Sequence, residues 1–142
     1  MLLQISIAAL IIVLTTMMHA SGMVLVMHQL KKFYKQDEHY KQRWQIHIYH
    51  VGGSILIMFF ISLLEVLLWA VTYLGLNALQ NFEQALYFSM VTFTTLGYGD
   101  VVLNDYWRLL SSFEAANGII MFGWTTAIVI YVVQRVYTIA EK

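Results

Sequence analysis

No Asp, Glu, Lys or Arg occurs in the first 30 residues, and the run ends only at Lys31-Lys32. At 1.5 Å per helical residue such a stretch can cross roughly 30 Å of hydrocarbon. Two more apolar runs follow, from about 51 to 76 with Glu65 as the only charge and from about 109 to 133 with only Glu114 near its start. Lipid offers the backbone no hydrogen-bond partners, so each run must satisfy its own peptide groups, and a helix does so. The expectation is an all-α membrane protein with three transmembrane helices per chain. Composition agrees, because 60% hydrophobic and 11% charged residues lie outside the range of a soluble domain.

The first run is expected to be a retained span. Its MLLQIS start lacks the basic region of a signal peptide and the run is too long for a signal core, although Ala20, Ser21 and Gly22 would suit cleavage. Orientation follows from charge. Lys31, Lys32, Lys35, Lys41 and Arg43 crowd one linker and Arg135 and Lys142 follow the third run, whereas 77–108 holds only Arg108. The linker and C-terminus are therefore assigned to the cytoplasm and the N-terminus to the outside. The expected location is the plasma membrane, or the cell inner membrane in a bacterium, as a multi-pass protein.

Several function classes drop out. Eight Lys+Arg balance eight Asp+Glu, which gives no case for a nucleic-acid partner. The absence of Cys removes disulfides, thiolate metal sites and cysteine nucleophiles. No nucleophile–base or metal constellation stands out, so the chain reads as no enzyme and needs no organic cofactor. His19 and His28 would suit a membrane haem protein, but that reading leaves the next feature unexplained.

Residues 77–108 are too polar for a fourth crossing and too apolar for an ordinary loop, so the segment reads as re-entrant. Within it, an amphipathic stretch from Phe82 runs into Thr94-Thr95-Leu96-Gly97-Tyr98-Gly99-Asp100. This TTLGYGD string, flanked by apolar runs, resembles the selectivity filter of the potassium channel pore-domain family. A T-x-G-Y-G-D match is expected by chance on the order of once in ten thousand such sequences. The physics suits the residues. A dehydrated potassium ion needs about eight oxygens that bind it without trapping it, and rings of neutral carbonyls supply them. Gly97 and Gly99 tolerate the positive φ that turns successive carbonyls toward one axis.

The resemblance implies a potassium-selective channel that passes K+ passively through a homotetrameric, fourfold pore. It implies a pore domain over 51–137, made of an outer helix 51–76, a re-entrant pore helix 82–94, a filter 95–100 and an inner helix 109–134. A transmembrane helix 1–30 and a linker 31–50 precede this domain, and a short tail 138–142 follows it. Thr95, Leu96, Gly97, Tyr98 and Gly99 would line the ion path, with K+ on the oxygens of Thr95 to Tyr98 and Asp100 at the outer mouth. Thr94, Tyr87, Phe88 and Glu114 would support the filter, Tyr87 and Phe88 by packing on the Tyr98 ring. Relatives often carry an acidic residue behind the filter where this chain has Val91. Gly118 and Gly123 would form the gating hinge, and Ile119, Phe122, Thr126 and Ile130, at helical spacing, would line the cavity.

Other features admit two readings each. Glu65 at mid-span is either a switch or a hydrogen-bonded carboxyl at a helix interface. Glu114 either supports the filter, by hydrogen-bonding behind it or pairing with Arg108, or is a plain interfacial residue. Phe33, Tyr40, Trp44 and Ile48 share a helical face among basic residues, so 31–50 is expected to be either an interfacial helix on anionic lipid or a simple helix-hairpin connection. His39, His47 and His50 read as solvated surface or as a pH or metal site. The first span carries no Arg or Lys and cannot be a voltage sensor of the charged-helix kind.

Overall fold

The computed structural model describes residues 1–36 and 44–140, without the side chains of 33–36, 44–47, 137, 139 and 140. Among the described residues the chain is all-helical, with α1 at Leu2–Gln36, α2 at Trp44–Gly75, α3 at Phe82–Phe93 and α4 at Arg108–Ala140. Three segments are long and apolar enough to cross a membrane, Leu2–Lys32, Ile48–Gly75 and Arg108–Val136.

The long helices overrun the expected spans. Hydrophobicity marks where lipid begins and ends, whereas a helix stops only where something stops it, and no Pro does so here. The expected interfacial helix over 31–50 is consequently not a separate element. Its first residues continue α1 and those from Trp44 onward begin α2. His39, Tyr40, Lys41 and Arg43, and the side chains of Phe33, Lys35, Trp44 and His47, lie outside the described residues. α2 ends at Gly75 by a local signal: Asn77 adopts φ 52°, and Ala78 N–H bonds the Tyr73 carbonyl at 2.9 Å. Asn tolerates this left-handed conformation better than most residues, and it caps a helix end.

α1 packs on α2 and α4, and α3 packs on α2 and α4. Along α1, Gln4, Ala8, Ile11, Thr15, His19, Gly22, Val26 and Leu30 are buried, a seam at steps of three and four. One apolar cluster joins Ala8 and Ile11 to Trp69 and Tyr73 of α2, Phe88 and Phe93 of α3, and Leu110 and Met121 of α4. A second joins Val26 and Leu30 to Met58, Ile128 and Val132. α1 thus runs parallel to α4 and antiparallel to α2, with α3 at the end where α1 and α4 begin. Between the two clusters lies a polar level made by His19, Glu65 and Thr125.

Candidate functional site

α3 exists because both ends are specified. Asn81 has extended backbone and its side chain accepts from Glu83 N–H at 2.9 Å, and Glu83 places negative charge on the positive end of the helix dipole. At the other end the chain turns sharply. Leu96 and Gly97 N–H both return to the Val91 carbonyl, at 2.9 and 3.2 Å. One acceptor inside the last turn of α3 therefore anchors the loop that leaves it.

Along that loop the backbone alternates. Thr95, Gly97 and Gly99 have φ of 60°, 56° and 78°, and no other residue between 94 and 100 has positive φ. The two glycines behave as expected from their missing Cβ. Thr95 does not, because left-handed backbone is unusual for a β-branched residue and costs about 1–3 kcal/mol. Its N–H is held by the Thr92 carbonyl at 2.9 Å. Nothing in the residue type announces this conformation, and it is the main feature of the loop that sequence reasoning missed.

The loop's side chains stand outside the fold, with Leu96 55% and Tyr98 68% exposed. Among the described residues no ring contact joins Tyr87 or Phe88 to Tyr98. Phe88 faces inward and meets Tyr73 edge-to-face at 5.2 Å, because α3 buries that side against α2. Tyr87 instead donates from its hydroxyl to Asp100 Oδ2 at 2.7 Å. That hydrogen bond, with the aspartate's charge, raises the Tyr87 phenol above its ordinary value. Thr94 caps α3, its hydroxyl donating to the Met90 carbonyl at 2.7 Å.

Behind the loop a buried carboxyl ties three helices together. Glu114 of α4 is fully buried; its Oε2 accepts from the Tyr73 hydroxyl of α2 at 2.5 Å, and its Oε1 lies 2.5 Å from Ser89 Oγ of α3. Ser89 also donates to the Val66 carbonyl at 2.8 Å. A hydroxyl has one hydrogen, so both Ser89 contacts are satisfied together when the Glu114 carboxyl supplies the second. Glu114 does not pair with Arg108, which reaches Asp105 at 3.3 Å on the exposed surface. Ser89 and Tyr73 were not read from the sequence, since each meets Glu114 only through the tertiary fold. Val91 is buried, and beside it a cavity of about 370 Å³ opens between α3, the loop and the start of α4, lined by Tyr87, Thr95, Gly97, Asp100 and Ser111.

Gly118 has a role beyond flexibility. A Cβ there would stand 2.0 Å from the Phe93 carbonyl oxygen, so the end of α3 approaches α4 as closely as it does only because this side chain is missing. Gly123 has open space around it. Ile119, Phe122, Thr126 and Ile130 fall on one exposed face of α4, and of these Phe122 also meets Phe93 edge-to-face at 5.7 Å. Among the described residues, that face and the side chains of Leu96 and Tyr98 are largely exposed. Glu65 sits at a helix interface, where Oε1 lies 2.9 Å from His19 Nδ1 and both side chains are fully buried, an arrangement compatible with either reading of this carboxyl. His19 and His28 share one helix, and among the described residues no three His, Cys, Asp or Glu gather as a metal site.

The sequence model of one protein family, described as an ion channel, matches residues 59–135. No curated protein and no solved structure matches the chain.

Proposed function

This chain belongs to that ion-channel family, of the two-span pore-loop kind that includes potassium channels, and from that premise we propose that it is a potassium-selective channel assembled from four copies. The observation that carries the reading is the alternating backbone at Thr95, Gly97 and Gly99. Alternation of left- and right-handed residues turns successive peptide planes to one side, where an extended strand would point them to opposite sides. Carbonyls brought to one side can replace the water around a dehydrated ion.

A single chain supplies one such strand, and a ring of carbonyls needs several. Closed cyclic symmetry with four copies places Thr95 to Gly99 around the axis and gives the exposed face of Ile119, Phe122, Thr126 and Ile130 an inner cavity to line. In that arrangement α3 is the re-entrant pore helix. Its C-terminal end carries the negative pole of the helix dipole and favours a cation waiting below the strands. Glu114, through Ser89 and Tyr73, fixes α3 against the two helices that flank it. The charge distribution supports an outward-facing loop, with Asp100 at its mouth held by Tyr87.

Ion flux from liposomes holding the purified full chain tests the proposal, with a potassium gradient and then a sodium gradient, each with and without external barium. Potassium flux that barium blocks, with little sodium flux, is the expected result. Equal flux of both ions would overturn potassium selectivity, and no flux under any gradient would overturn self-sufficient conduction.

A further inference from the structure

α1 lies outside the residues matched by the family model, yet polar groups join it to the inner helix at three levels. The Gln4 side-chain amide donates to the Tyr106 carbonyl just ahead of α4. Asn117 Nδ2 donates to Thr15 Oγ1 at 3.0 Å. Deeper still, His19 places Nε2 3.3 Å from Thr125 Oγ1 of α4 while its Nδ1 meets Glu65 Oε1 of α2 at 2.9 Å. Stranding any of these groups in hydrocarbon is costly, so the contacts fix the register of α1 against α4. The anchors on α4 bracket its two glycines, with Asn117 just before Gly118 and Thr125 just after Gly123. A helix held on both sides of these positions bends only if one hold is released.

The lower hold has two states by hydrogen-bond count. With one ring hydrogen, Nδ1 donates to Glu65 and Nε2 accepts from the Thr125 hydroxyl. With a second hydrogen, taken from water and placed on Nε2, the ring donates at both nitrogens and the bond to Thr125 reverses. The threonine hydroxyl must then turn to another acceptor, for which the carbonyl four residues back in its own helix is available. The charge change would be little buffered by neighbours. Glu65 Oε2 has no hydrogen-bond partner. α1 carries no Asp, Glu, Lys or Arg before Lys31, α2 carries only Glu65 between 48 and 75, and α4 offers Arg108 at its exposed start beside Asp105, Glu114, already bound to Ser89 and Tyr73, and Arg135 ten residues past Thr125. His28 is nine residues along α1 and exposed.

We propose that α1 is a proton-sensitive brace on α4, in which the His19–Glu65 pair, acting through Thr125, sets how firmly the inner helix is held and so how readily the channel conducts. This rests on the channel reading above. His19, Glu65 and Thr125 are positioning residues in it, since none faces the ion path.

Two readouts on the full chain in liposomes test the brace. The first needs no conduction. The Trp124 ring lies 6.1 Å from His19, and a protonated imidazole quenches a neighbouring indole. Emission of the wild type minus that of Trp124→Phe should fall as pH is lowered from about 9 to about 5, and His19→Gln should abolish the fall. The second is potassium flux over the same range, expected to change at least about fivefold in the wild type. His19→Gln and Thr125→Val should flatten that response, and Thr125→Ser, which keeps the hydroxyl, should restore it. A wild-type flux response in a folded His19→Gln chain overturns the proposal, as does a Trp124 signal that ignores pH. A chain without flux at any pH overturns the channel reading instead, and the Trp124 titration then decides the brace alone.

Discussion

At the scale of single residues, the positive-φ positions carry the sharpest consequences. Gly97→Ala or Gly99→Ala would place a Cβ where φ is 56° or 78°. The space is open at both, so the penalty is conformational, about 1–2 kcal/mol for an L-residue held left-handed. That is enough to turn a peptide plane out of a filter that needs every carbonyl. Loss of potassium-over-sodium selectivity, or of flux altogether, is the expected outcome in the gradient assay, and wild-type selectivity in either variant would contradict the carbonyl account. Gly118→Ala is a different case, because its new methyl would meet a backbone oxygen at 2.0 Å that cannot rotate away. Overpacking of this kind costs about 1–3 kcal/mol or more, and a lowered midpoint of thermal unfolding in detergent would register it. Tyr87 offers a pH effect with a definite sign. Its raised phenol pKa means that the bond to Asp100 contributes fully below the ordinary tyrosine value and is lost as pH rises through the raised one. In an alkaline absorbance titration, Tyr87→Phe should remove one of the late-ionising tyrosines, and Asp100→Asn should bring that ionisation earlier.

Among elements, α3 stands or falls with the carboxyl that holds it. Glu114→Ala would leave the Tyr73 hydroxyl to find a new partner in a buried site and Ser89 with only its bond to the Val66 carbonyl, a loss of about 1–3 kcal/mol for the stranded group. Glu114→Gln keeps the length and can still accept from Tyr73 while donating to Ser89, so it should retain most of that stability. A thermal series in which Ala falls well below Gln, and Gln stays near wild type, is the expected order; equal values would remove Glu114 from the support of α3. How much of this was legible in the sequence follows from the same contacts. The left-handed backbone at Gly97 and Gly99 was readable because glycine is the residue that permits it. Thr95 was not, since a β-branched side chain argues against the very conformation it adopts. A charge inside an apolar run announced Glu65 and Glu114 as expensive and therefore partnered. Their partners lie 46 residues away at His19 and 25 and 41 away at Ser89 and Tyr73, and no periodicity connects such pairs. The helix ends were misplaced for a related reason, because apolar runs measure lipid thickness and α1, α2 and α4 all continue past it.

For the whole molecule, the proposed pore makes the single chain one part of a larger assembly. Its loop from Thr95 to Asp100 is exposed throughout, and so is the face of Ile119, Phe122, Thr126 and Ile130 on α4. Lipid can cover the apolar side chains but cannot satisfy bare backbone at membrane depth. In the proposed ring of copies, permeating ions and water meet that backbone, and the number of copies is measurable from function without resolving the assembly. When equal amounts of wild type and Gly99→Ala chain are reconstituted together and assort at random, a pore that needs every strand intact retains the probability that all its subunits are wild type. For a closed ring of four that is about one sixteenth of the pores. A dimeric pore would leave about one quarter, and independent chains about one half. Potassium flux near the lowest of these values, falling as the fourth power of the wild-type fraction across a series of mixtures, is the expected result. A linear fall would mean that each chain conducts alone, which the exposed backbone of a single loop argues against.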